Sequence, residues 1–403
     1  MIADTPVFDG KQMRLHTSVV VEDGRVSAVG RHVAKRWRHL AVIKLTRATL
    51  IPGFTEAHTH TTDVSQLQEA LQFGVTTILD MWTPANETVL RDAAAKRTDV
   101  ADFRSADILA TVLGGHGTEF GIPIPTVSGP DAAEAFVEAR RSAGADYLKI
   151  VLNGVRNARS GMPNMDESTA RALVEAGHKR GMLVVAHIEN LQDVRTALSA
   201  GVDGFAHTWR QGGAAPDLAG LIVRNHVFVV PTPAAPDGFV PGTGAELAAD
   251  PRLKPFLSPA LTRRLTGETP PPIPAPVRQN IEPELAAVRS LVEAGATLLA
   301  GTDPPNGTVV HGVSLHRELE LLVKAGLTPV QALAAATSNA ADAFRLRDRG
   351  RIVSGAWADL ELVQGDPSTD ITATRAMLKI WRSGVDLIGK STAINMRVAD
   401  CSG

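Results

Sequence analysis

From Leu50 to about Leu346, short β-branched runs alternate with amphipathic stretches of helical period. Repeated βα units produce that alternation, which commits the chain to a parallel sheet covered by helices. Candidate strands are Leu50 to Ala57, Val75 to Asp80, Ile108 to Leu113, Tyr147 to Leu152, Leu183 to His187, Gly204 to His207, Val227 to Val230 and Thr297 to Ala300. Between them the pattern predicts helices over Asp63 to Phe73, Glu87 to Lys96, Asp131 to Ala143, Ser168 to Arg180 and Leu191 to Ala200, several closed by glycine. Eight such units favour an α/β fold of the (β/α)8 TIM-type barrel class over an open, doubly wound sheet.

The two ends read differently. Thr17 to Gly30 gives two strands around an Asp-Gly turn, and Gly350 to Ser383 is strand-rich again. This predicts a small β-sandwich domain built from both termini, residues 1–50 plus 350–403, around a barrel of residues 51–349. A proline-rich stretch at about 231–280 breaks the rhythm after the seventh strand, where a connection of that length serves as a lid or pocket wall, or else as a mobile insertion.

Lys and Arg number 41 against 43 Asp and Glu, so no basic footprint invites nucleic acid. The single cysteine, Cys401, has no internal partner, which fits a reducing compartment. No signal-peptide pattern is present, and no apolar run approaches the ~20 residues that span a bilayer. These features point to a cytoplasmic protein with a small-molecule substrate, no nucleic acid and no membrane, and they leave open whether it is a homo-oligomer.

Chemistry is concentrated at the predicted strand ends, which is where barrel active sites lie. Ile51 to His60 reads Ile-Pro-Gly-Phe-Thr-Glu-Ala-His-Thr-His. In an extended strand His58 and His60 share a face, about 6 to 7 Å apart at Cα, and can bind one metal ion. Strand four carries Lys149, strand five ends at His187, strand six at His207, and strand eight runs into Asp303. Each has a plainer reading: a hydrogen-bonded surface histidine, a snorkelling lysine, an aspartate in a turn. Six coincidences at strand ends argue against the plainer readings taken together.

Lys149 lies among Tyr147, Leu148, Ile150 and Val151, and burial there favours the neutral amine. A neutral amine can take up carbon dioxide, and the resulting carbamate can bridge two metals. One would be held by His58, His60 and Asp303, the other by His187 and His207. Two divalent ions would then bring a bridging hydroxide to a carbonyl, with Asp303 as acid and base. Zinc is the first choice, although these donors also suit manganese, iron and cobalt.

The set Pro-Gly-Phe-Thr-Glu-Ala-His58-Thr-His60, Tyr-Leu-Lys149-Ile, Ala-His187, Ala-His207 and Gly-Thr-Asp303 resembles the amidohydrolase superfamily. Within it the chain is most similar to the imidazolonepropionase-related group, with its prolidase-like and arginine carboxypeptidase-like dipeptidases. Gly-Gly-His116-Gly, Val-His311-Gly, Leu-His316-Arg-Glu-Leu and Gly-Ala-Trp-Ala-Asp-Leu extend the resemblance over nearly the whole chain. It implies a binuclear metal hydrolase on a barrel. The chain departs from the group at Ala-His187-Ile-Glu189-Asn190, at Ala206 and at Pro304-Pro305, so dipeptide specificity does not carry over.

His116, between glycines, is the candidate for binding the substrate carbonyl or its tetrahedral intermediate. Glu189 is a candidate selector of a cationic or hydrogen-bonding substrate group, or a neighbour of the ligands. His311 is expected to line the mouth and Tyr147 to fill the interior, while His16, His32, His39, His178, His226 and the helical His316 are expected to be structural or superficial. The expected reaction is hydrolysis of an amide-type bond in a dipeptide, cyclic amide or carbamate. Lactone, ester or phosphoester hydrolysis on the same site is the alternative among enzymes, and a non-catalytic ligand-binding or scaffold barrel the alternative from another class.

Overall fold

The computed structural model describes residues 1–387 apart from 32, 34–36, 38–39, 154–160, 211 and 270–276. Cys401, His32 and His39 lie outside the described residues.

The chain begins with strands β1 (Ile2–Phe8), β2 (Met13–Glu22), β3 (Arg25–Gly30) and β4 (Ala48–Pro52). Asp23 and Gly24 join β2 to β3 with φ of 49° and 77°, the left-handed pair that a two-residue hairpin turn needs to match strand twist. Seven parallel strands follow: β5 (Phe54–Thr59), β6 (Val75–Asp80), β7 (Asp102–Ser105), β8 (Leu148–Val151), β9 (Val184–His187), β10 (Gly204–Ala206) and β11 (Phe228–Val230). The chain closes with β12 (Leu360–Gln364), β13 (Met377–Arg382) and β14 (Val385–Asp386). These last three join the first four in one seven-stranded sheet of order β14-β13-β12-β4-β1-β2-β3.

The parallel strands form two arcs, β5-β6-β7 and β8-β9-β10-β11, with helices in the connections. Backbone hydrogen bonds stitch the arcs together. Ala110 bridges to β8, with N–H to Lys149 O at 2.8 Å, and Leu299 N–H reaches Val229 O at 2.9 Å. Ala57 N–H to Ala300 O, at 2.8 Å, links the last segment back to β5. The helices start and stop as their sequences dictate. Asp63 caps Val64–Gln72 in a reciprocal capping box with Gln66, and Asn190 caps Leu191–Ala200. The first buries Leu67, Ala70 and Leu71 against the sheet.

Three strand boundaries differ from expectation. Leu50 to Ala57 is two strands, because the chain changes sheets at Gly53, where a Cβ would lie 2.3 Å from the Thr76 methyl. The third parallel strand is Asp102–Ser105 rather than Ile108 to Leu113. Asp107 turns the backbone with φ 57°, only Ala110 pairs beyond it, and Leu113 is 81% exposed. Thr297 to Ala300 contributes a single bridge, Val229 to Leu298, rather than a ladder. The proline-rich stretch contains the helices Ala234–Asp237, Thr243–Ala249 and Pro259–Leu265. Leu247, Leu253, Leu261 and Leu265 bury their side chains in the main core, so these parts are packed structure rather than a mobile insertion. Pro259 occupies the first helical turn, where a missing N–H costs nothing.

Candidate active site

Because the strands are parallel, their C-terminal ends open on one side and bring together residues far apart in sequence. His58 lies in β5, Lys149 in β8 and His187 at the end of β9; His207 follows β10, and Asp303 lies just past the segment that bridges β11. His58 Nε2 lies 3.4 Å and His60 Nε2 3.0 Å from Asp303 Oδ1, while His207 Nε2 lies 3.9 Å from Asp303 Oδ2. The His58 and His207 rings are 4.6 Å apart between centroids, and those of His187 and His207 4.7 Å. Donor atoms of His58, His207 and Asp303 all fall within 4.8 Å of one another. Asp303 thus stands beside both sets of imidazoles, and His207 groups with His58 rather than with His187 alone.

Backbone geometry sets these distances. Asp303 N–H donates to His58 O at 2.9 Å, and a Cβ at Gly301 would meet His58 N at 2.6 Å, so only glycine lets the two segments approach so closely. His207 and Asp303 both adopt positive φ, 71° and 60°, a conformation uncommon for such residues and concentrated at functional sites.

Among the described residues, Lys149 Nζ, both His58 nitrogens, His187 Nε2 and Asp303 Oδ1 are buried without a hydrogen-bond partner. For Asp303 Oδ1 the imidazoles are near enough, but they are not aligned as donors. Burial drives the Lys149 ammonium down to about 7, against the opposing pull of Asp303 and Asp80. Burial, then the positive field of Lys149, holds His58 well below the ordinary imidazole value. His187 falls to about 4 by burial, and His207 is also well below its usual value for the same reason. These are neutral imidazoles with open lone pairs around one carboxylate. So many orphaned polar groups would be costly in a sealed core, and they match the donor set of a cation site.

His116 is close to the cluster, its ring 4.8 Å from that of His187, and its Nδ1 lies 2.6 Å from Glu119 Oε1. That contact, with burial opposing it, brings the Glu119 carboxyl down to about 2. Glu189 is buried between His187, at 3.7 Å, and Arg210, at 3.2 Å, so it already has a cation of its own. Burial alone would raise its carboxyl, but Arg210 and then His187 pull it well below the carboxylate range. His311 is fully buried, with Nε2 3.4 Å from Thr61 Oγ1, which places it behind His60 rather than on an open mouth. Tyr147 fills the interior and donates to Asp80 O at 2.7 Å. His16 and His178 pair with Asp4 and Asp203 in exposed positions, His226 is exposed, and buried His316 bonds Thr374.

Sequence reasoning missed Asp80 and Thr232. Asp80 ends β6, fully buried, and accepts from Thr61 N–H, Trp82 N–H and the Thr83 hydroxyl. Its place at a strand end was a usable signal. Thr232 Oγ1 lies 2.7 Å from His207 Nδ1 and fixes that ring, a contact with no local signature because 25 residues separate the pair.

Residues 49–385 match the amidohydrolase family. The chain belongs to that family. It is therefore a metal-dependent hydrolase of the amidohydrolase type. An ochratoxinase from Aspergillus niger is 21% identical over 432 residues, covering 93% of this chain and 83% of the relative. An imidazolonepropionase from Deinococcus deserti is 36% identical over 100 residues, or 24% of this chain and 25% of that protein. The solved structure of a Xaa-Pro dipeptidase with bound methionine superposes with a TM-score of 0.77 at 22% identity, covering 96% of this chain and 98% of that one, and thus shares the fold. Among the described residues no helix is long and apolar enough to cross a membrane.

Proposed function

We propose that the chain is a binuclear amidohydrolase cleaving an amide-type bond, with His58, His60, His187, His207, Asp303 and a carboxylated Lys149 as the metal ligands. On this reading the two arcs close into a (β/α)8 barrel of residues 51–349, and the sheet from both ends is the sandwich domain of residues 1–50 and 350–403. The observation that carries it is the buried Lys149 amine, left without a partner within the field of an Asp303 carboxylate that two imidazoles approach within 3.4 Å. Its shift to about 7 leaves much of the amine uncharged at neutral pH, the form that takes up carbon dioxide. Two divalent cations of the zinc type, when bound, would acidify water and polarise a carbonyl.

The chain's own groups supply the rest. Asp303 would accept a proton from the attacking water through its carboxylate and return it to the leaving nitrogen. His116, beside His187 and held by Glu119, would donate a hydrogen bond to the oxygen of the tetrahedral intermediate. The family match and a relative named ochratoxinase support hydrolysis. Dipeptides, cyclic amides and carbamates are the substrate classes to screen. Lys149→Ala is the test. Metal content by atomic absorption and hydrolysis should both fall to background, and short-chain carboxylic acids should restore part of each. Wild-type metal content in that variant would remove the carbamate.

A further inference from the structure

The strand-end site has an apolar side that the chemistry above does not use. Trp82 follows β6, Leu109 follows β7 and Val151 ends β8, and these three form a buried cluster apart from the main core, with Phe120 and Ile124 packed against it. Rings tie this cluster to the candidate site on both flanks. Between centroids, His60 lies 6.0 Å from Trp82, Trp82 5.1 Å from Phe120, and Phe120 5.7 Å from His116. His116 is 4.8 Å from His187, whose ring leads through His207 and His58 back to His60. The rings therefore close a circuit, imidazole over most of its course and hydrocarbon over one arc. That arc spans the gap between His60, a proposed metal ligand, and His116, the proposed donor to the carbonyl oxygen. Trp82 is 8% exposed and its Nε1 has no hydrogen-bond partner, whereas the indoles of Trp37, Trp209 and Trp357 each donate to a protein acceptor. Its N–H therefore remains available to a bound group, and half-buried Phe120 keeps part of its ring surface open to solvent. Aromatic surfaces gain from contact with a further flat ring, offset or edge-on, beyond what burial of the same area gives.

Resting on the amidohydrolase reading above, we propose that Phe120 and Trp82 are specificity-determining residues of this site and bind an aromatic ring carried next to the scissile carbonyl. The substrate is then an aryl-bearing member of the amide classes named above, rather than an amide whose substituents are all small or aliphatic. With the carbonyl held between the ligands around His60 and the His116 donor, a ring attached beside it meets the Trp82–Phe120 arc. Leu109 and Val151 back that arc and keep it rigid. A cluster serving only to anchor the loop after β7 would give no preference between an aromatic probe and an aliphatic one of similar size.

The test uses the metal-replete full chain with acetamide, cyclohexylacetamide and phenylacetamide as probes, read by isothermal titration. Phenylacetamide should bind about ten- to a hundredfold tighter than acetamide through apolar burial. It should also bind about two- to tenfold tighter than cyclohexylacetamide through ring contact. Phe120→Ala should abolish the preference for phenyl over cyclohexyl, and Phe120→Tyr should keep it because the ring survives. Equal binding of the phenyl and cyclohexyl probes by the wild type would overturn the assignment, as would a preference that persists undiminished in Phe120→Ala. If Phe120→Ala fails to fold, the wild-type comparison and Phe120→Leu, which keeps apolar bulk without a flat ring, still decide the question. Hydrolysis is scored separately, by release of ammonia. A phenyl preference in binding without turnover of any probe would count against the amidohydrolase chemistry and leave the aromatic site standing; turnover with no preference among the probes would do the reverse.

Discussion

Two of the buried charged clusters among the described residues are built on different principles. At the junction of the seven-stranded sheet with the parallel strands, Asp102 of β7 receives Arg349 and lies 3.5 Å from Arg382, which also reaches Asp359 at 3.0 Å. Carboxylates and guanidiniums face one another there across the interface. At the strand ends three imidazoles lie within 3.9 Å of the Asp303 carboxylate, and several donor and acceptor atoms have no partner among the described residues. In the first arrangement each carboxylate meets a guanidinium, and Arg382 Nε is the group left unpaired among its described residues. In the second, imidazole nitrogens, an amine and a carboxylate oxygen are left unpaired, a donor set that fits a cation.

That contrast can be broken by substitution. Asp303→Asn should cost the most, about a hundred- to ten-thousand-fold in kcat from lost proton transfer, with most metal retained by atomic absorption. Normal turnover in the asparagine variant would put the proton elsewhere. Asp102→Ala should leave metal per folded chain unchanged but lower stability by about 3–5 kcal/mol in urea titrations, because two guanidiniums lose a buried partner. A loss of metal without a loss of stability would erase the distinction between the clusters.

Acid probes the uncompensated side of the comparison. His311 is held at about 3 by burial, below the ordinary value of about 6.5, so the unfolded chain binds a proton that the folded one refuses. Its contribution to stability is complete above about 6.5 and is lost as pH falls toward 3. The melting temperature should drop across that window, and His311→Gln should flatten the slope; an unchanged slope would sink this account. The smallest effect is expected for Thr232→Val, which frees the ring held at 2.7 Å and should weaken metal affinity about 10- to 100-fold in chelator competition.

Much of the molecule was legible before folding. The helix Glu87–Lys96, strand β6 and the Asp23-Gly24 hairpin fall where their periodicity and turn chemistry put them. So do the strand-end residues, since a parallel array sends them all to one side. What stayed hidden depended on contacts distant in sequence. Gly53 switches sheets because of Thr76, Thr232 matters because of His207, and Arg210 takes charge of Glu189 from the neighbouring loop. The displaced third strand had a local cause, the left-handed turn at Asp107, which a lone aspartate does not announce.

Gly301 carries a last consequence. Because the main chain there presses against His58 with no side chain between, the separation of imidazole and carboxylate is a property of the backbone, gauged before any ion arrives. A cation bound there would have to suit that gauge, and an alanine at this one position, its Cβ driven to 2.6 Å from His58 N, would shift the spacing while leaving every donor group in the chain.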